Sequence, residues 1–61
     1  METLRENFLK VYANLPLNVR DEIILVFDGK PLTWNVAYLE VKANTDNGTK
    51  ILKELNDLKL I

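Results

Sequence analysis

The chain has 61 residues, enough for one small core, and contains neither cysteine nor histidine, which excludes disulfide staples and the usual zinc ligand sets. Hydrophobic residues make up 48% and charged residues 28%, the composition of a folded globular domain and not of a disordered tail. Eight basic against nine acidic side chains give a net charge of −1, which argues against a protein that coats nucleic acid through many phosphate contacts but leaves a sequence-specific DNA reader open.

Residues 3 to 14 carry Leu4, Phe8, Val11, Tyr12 and Leu15 on one helical face. Thr3 followed by Glu6 fits a capping box, and Asn14 and Pro16 are expected to end the helix. Leu15 to Asp21 reads as a connector with one short helical turn after Asn18, pinned to the core by Leu17 and Val19. Ile23-Ile24-Leu25-Val26-Phe27 is a continuous β-branched and aromatic run, the pattern of a strand buried on both faces at the centre of the fold. Asp28-Gly29-Lys30-Pro31 then supplies a turn, since glycine reaches positive φ and proline fixes its own φ.

From Leu32 to Ala43 two templates compete. Trp34, Ala37, Tyr38 and Val41 sit at helical spacing, with Thr33 as a natural N-cap, whereas Leu32, Trp34, Val36 and Tyr38 alternate as in a strand. The helix is preferred because the alternation fails at Leu39 and Val41; the competing structure is a hairpin turned at Asp28-Gly29. After Asn44, Thr45 or Asp46 caps a last helix with the stripe Ile51, Leu52, Leu55 and Leu58, unless Asn47-Gly48 forms a type I′ turn, and Leu60-Ile61 ends the chain extended. The expectation is a single α+β domain over residues 1–61: an N-terminal helix, one central buried strand, two C-terminal helices in a helix-turn-helix-like pair and a short C-terminal extended segment.

The chemistry-bearing residue types are few. With no histidine, cysteine or serine and no glycine-rich phosphate loop, no acid/base pair or activated nucleophile can be assembled in the familiar ways, so a non-enzyme without a cofactor is expected. Asp21, Glu22 and Asp28 flank the strand and read as solvated strand ends before they read as a cation site. Trp34 and Tyr38, one helical turn apart, read as core or as an aromatic interaction surface for a partner. No stretch approaches the length of a membrane span and the start lacks the basic and apolar pattern of a signal peptide, so a cytoplasmic protein without membrane partners is expected.

The run Thr49-Lys50-Ile51-Leu52-Lys53-Glu54-Leu55-Asn56-Asp57-Leu58-Lys59-Leu60-Ile61 resembles the recognition-helix end of winged helix-turn-helix regulators. The resemblance implies DNA as a partner, with Asn47, Thr49, Lys50 and Lys53 facing the major groove and Asp46 serving as a cap. The sequence departs from that family at Lys59, where a glycine is common, and at Gly48, where an apolar residue is common, and no wing hairpin is expected. Tyr12-Ala13-Asn14-Leu15-Pro16 and Thr33-Trp34-Asn35-Val36-Ala37-Tyr38 also resemble segments of small archaeal proteins, a likeness that implies no activity. Two functions follow as expectations: a small helix-turn-helix-like DNA-binding regulator working as a homodimer, and, as the alternative, a non-enzymatic protein-protein interaction or dimerisation module such as the neutralising partner of another protein.

Overall fold

The computed structural model describes residues 2–61. Helix α1 runs from Glu2 to Ala13 and is followed by a 3-10 turn at Val19–Asp21. Strands β1 (Ile23–Phe27) and β2 (Lys30–Thr33) form an antiparallel hairpin, and helices α2 (Trp34–Lys42) and α3 (Asp46–Asp57) complete the chain. The radius of gyration is 10.3 Å, against about 10.5 Å for a compact chain of this length. The α+β class, the N-terminal helix and the paired C-terminal helices are as the sequence implies.

The core is helical. Phe8 of α1, Trp34, Ala37 and Val41 of α2, and Ile51, Leu52 and Leu55 of α3 are buried together, joined from the hairpin by Leu32 alone. Spacings of three and four residues put each set on one helical face. Leu4, Val11, Tyr12 and Leu15 pack on the same cluster half-buried, as the α1 pattern requires.

Helix α1 begins at Glu2, so Thr3 occupies a helical position and not the cap expected for it; position 1 lies outside the described residues. Its far end is closed by side chains. Asn14 Nδ2 donates to the Lys10 carbonyl at 3.0 Å and Arg20 reaches the Ala13 carbonyl at 3.5 Å. Both carbonyls would otherwise lack an intrahelical partner. The connector takes its helical turn directly after Asn18, but of its two expected anchors only Val19 packs on the core; Leu17 is 76% exposed.

The strand departs most from expectation. Ile23–Phe27 is neither central nor buried on both faces: none of its residues is fully buried, and Ile23 and Val26 are 63% and 68% exposed. Residues 28–33 explain why. Asp28 and Gly29 take φ of 52° and 75°, positive at both centres as a type I′ turn needs, and the chain returns at once as β2. The helix and hairpin templates for residues 32 to 43 are both realised in succession. Thr33 ends β2 opposite Ile23 and caps α2, its hydroxyl accepting from the Val36 N–H at 3.2 Å. A two-stranded ribbon has one face for the core and one for solvent, and the helices occupy the only packed side.

Helices α2 and α3 are joined by Ala43-Asn44-Thr45. Asn44, at φ 56°, lets the Thr45 N–H return to the Glu40 carbonyl at 3.3 Å and its own N–H to Val41 at 3.1 Å, a left-handed helix stop. Thr45 then starts α3: its Oγ1 accepts from the Gly48 N–H at 2.9 Å and donates to Glu40 Oε2 at 2.6 Å. Asn47-Gly48 thus lies inside α3, and the type I′ alternative there is not adopted. A second left-handed stop closes α3, with Lys59 at φ 60° and the Leu60 N–H on the Leu55 carbonyl at 2.9 Å. The buried stripe ends at Leu55; Leu58, in the cap beyond the last turn, is 54% exposed.

Candidate interaction surface

The four positions assigned to DNA by resemblance, Asn47, Thr49, Lys50 and Lys53, are all exposed on the first two turns of α3. They do not form one face. By helical periodicity Lys50 and Lys53 lie opposite the buried Gly48, Ile51, Leu52 and Leu55, together with Asp46 and Asp57. Asn47 turns toward the hairpin, where it borders a cleft of about 220 Å³ with Phe27, Leu32, Val36 and Ile51 as apolar lining and Asp28, Lys30 and Glu40 as polar lining. Thr49 turns the other way, to a cleft of about 130 Å³ beside Arg5 and Asn44. Along α3 the acids Asp46, Glu54 and Asp57 outnumber Lys50 and Lys53, and Asp46–Lys50, Lys50–Glu54 and Lys53–Asp57 are spaced as neighbours one turn apart.

Trp34 and Tyr38 are not an open aromatic surface. Trp34 is buried against Phe8, ring centroids 5.9 Å apart, and Tyr38 is half-buried, stacked on Tyr12 at 4.2 Å. The Arg20 guanidinium sits 4.3 Å from the Tyr12 ring centre, attracted by the negative ring face, and the Lys42 ammonium donates to the Tyr38 hydroxyl at 3.1 Å. Tyr12 also donates to Asn35 Oδ1 at 2.6 Å, and Asn35 Nδ2 donates to Asp21 at 2.6 Å. This ladder ties α1, the 3-10 turn and α2 together. It gives Asp21 a structural partner, and among the described residues no group of three acids is placed to hold a metal ion. Among the described residues no helix is long and apolar enough to cross a membrane.

The hairpin carries the surface that charge and motif reasoning passed over. Phe27 and Lys30 flank the two-residue turn and form its close hydrogen-bonded pair, so Val26 and Pro31, the next pair, are not hydrogen-bonded to each other. Pro31 therefore loses no ladder bond, and its missing donor falls on the outer edge of β2, where Lys30 adds a charge. The corresponding N–H and C=O of Val26 face the outer edge of β1, and among the described residues no bond outside the ladder takes them up. Beyond β2, β1 has no extensive contact with another element. Its outer face presents Ile23 and Val26 beside exposed Pro31, and the strand contains no charge. A bulge between Ile23 and Leu25 sets Ile23 on the same side as Val26 by adding one residue to the count. The signal in the sequence was a proline two residues past Asp-Gly, which marks an edge, against a β-branched run with no lysine or proline of its own.

Comparison with known proteins gives no matching family model, no matching curated protein and no matching solved structure.

Proposed function

We propose that this chain acts without catalysis, as a protein-interaction module that offers the outer face and open edge of β1 to another polypeptide. The observation that carries this reading is the pairing of two exposed β-branched side chains, Ile23 and Val26, with an unprotected edge of an uncharged strand. Single exposed apolar residues are ordinary, but an apolar face bordering unpaired backbone groups is a template for strand addition. The near-neutral charge of the chain fits contact with protein better than contact with a polyanion.

A second reading, a small DNA-binding regulator, is favoured by the three-residue turn between α2 and α3 and by the exposure of Asn47, Lys50 and Lys53 on the first turns of the second helix. Against it stand Asp46, Glu54 and Asp57, which leave α3 with a net negative charge.

The test places a photo-crosslinking side chain at position 26 or at position 53 of the full chain and irradiates the host cell. Protein adducts at position 26 and none with nucleic acid at 53 are expected. Nucleic-acid adducts at 53 with a silent position 26 would overturn the interaction reading in favour of the regulator.

A further inference from the structure

We propose that the occupant of the β1 edge is the β1 edge of a second copy of this chain, antiparallel about a two-fold axis at Val26, so that two hairpins join into one four-stranded sheet. The inference deepens the interaction reading and rests on it for the choice of surface. The hairpin is asymmetric in its defences: β2 carries Pro31 and Lys30 on its outer edge, whereas β1 has neither proline nor charge from Ile23 to Phe27. A structure that guards one edge and leaves the other bare has only one direction in which its sheet can grow. Two-fold pairing at Val26 lets each Val26 N–H donate to the other copy's Val26 carbonyl, which satisfies both orphan pairs reciprocally.

The choice of a second copy follows from self-complementarity. An antiparallel pair of identical uncharged strands opposes no like charges from Ile23 to Phe27, and the Glu22 end of each strand approaches a turn end that carries one anion, Asp28, and one cation, Lys30. The outer faces of the two hairpins then align Ile23, Val26 and Pro31 from both chains into one apolar strip. The folded chain buries only one hairpin side chain, Leu32, in its core, and chains this short commonly gain missing burial by association. The bulge beside Ile24 confines the new pairing to the half of β1 next to the turn.

The experiment is sedimentation equilibrium of the full chain from about 10 µM to about 1 mM, with amide hydrogen exchange followed over the same range. The expected mass rises toward twice the 7.1 kDa of one chain, and exchange at Val26 slows with concentration while that at solvent-facing loop amides does not. Val26→Lys sets two lysines opposite each other and should weaken association at least about tenfold; Leu39→Lys, an equal change on the exposed face of α2, should not. A chain that stays at 7.1 kDa at the highest concentration, a Val26 amide indifferent to concentration, or Val26→Lys that associates as the parent does each overturns the proposal. The exchange measurement uses the unmodified chain, so a folding defect in the variant does not rescue the idea. A monomer that crosslinks another protein from position 26 sinks self-pairing and leaves the interaction reading standing; a silent position 26 with nucleic-acid adducts at position 53 sinks both.

Discussion

Gly48→Ala tests whether α2 and α3 touch as closely as the structure has them. In an exposed helical site this change stabilises by about 0.5–1 kcal/mol, because alanine loses less backbone freedom on folding. At Gly48 a Cβ would lie 2.6 Å from the Glu40 carbonyl oxygen, 2.9 Å from its carbon and 3.2 Å from the Val41 Cα. All three are backbone atoms, and Glu40 and Val41 are fixed by the left-handed stop at Asn44, so no side chain can swing away. The first turn of α3 must move off α2 and open the Thr45 cap. Overpacking costs about 1–3 kcal/mol, and contact with fixed backbone atoms puts this site at about 2–3 kcal/mol; less a propensity gain of up to about 1 kcal/mol, the net loss is about 1–2 kcal/mol. With a urea slope near 1 kcal/mol/M for a small domain, the midpoint should fall by about 1–2 M. Urea titration followed by Trp34 fluorescence and far-UV circular dichroism reads this directly, with Asn47→Ala one position earlier as an exposed control. A midpoint for Gly48→Ala at or above that of the parent would refute the close approach and, with it, the helix-pair geometry.

Leu55→Ala empties a fully buried site and should cost about 2–5 kcal/mol by thermal or urea unfolding, whereas Leu58→Ala, in the exposed cap, should cost under about 0.5 kcal/mol; equal losses would place the register of α3 wrongly. Lys59 holds a left-handed φ of 60°, so Lys59→Gly should raise stability by about 0.5–1 kcal/mol, and a lower melting temperature would contradict that cap. Tyr12→Phe keeps the stack on Tyr38 but removes the 2.6 Å bond to Asn35; a loss of about 0.5–1.5 kcal/mol is expected in urea titration, and no loss would mean the hydroxyl is satisfied as well by water. In fluorescence anisotropy a mixed-sequence duplex should show no binding that falls by orders of magnitude between roughly 50 and 200 mM salt; such binding, abolished by Lys50→Ala and Lys53→Ala, would establish the regulator reading instead.

Helices α2 and α3 were legible because periodicity and capping agree in them; in α1 the periodicity holds, but Thr3 lies inside the helix and is not its cap. Trp34, Ala37 and Val41 repeat at helical spacing and Thr33 stands where a cap must, so α2 could be read to the residue at its start. The hairpin was legible only in part. Its turn is written in Asp28-Gly29, but β2 is four residues long, contains a proline and hands Thr33 directly to the next helix, which leaves too little alternation to register as a strand. The exposure of β1 departs from its sequence pattern for a different reason. A continuous apolar run marks a strand covered on both faces when a second layer exists to cover it; here the helical core packs against Ile24, Leu25 and Phe27 and leaves Ile23 and Val26 exposed. The candidate DNA positions come as a set from the winged helix-turn-helix resemblance; the rotation of α3 about its axis divides Asn47 and Thr49 between opposite flanks. Trp34 and Tyr38 were legible as large apolar groups, yet the cation over the ring of Tyr12 comes from Arg20, and no local pattern joins Arg20 to Tyr12.

Thr45 closes one helix and opens the next with the same few atoms, its N–H on the Glu40 carbonyl and its hydroxyl between Glu40 and Gly48. Two helices that share a residue in this way have no slack between them. An insertion of one residue at positions 43–45 cannot be absorbed locally; it would rotate α3 and turn Ile51, Leu52 and Leu55 away from the core. The same insertion at 16–18, where the backbone runs exposed, has solvent to bulge into. The junction therefore acts as a phase lock: whatever holds α2 in place also fixes which side of α3 the solvent meets, and the two helices should open and close as one unit.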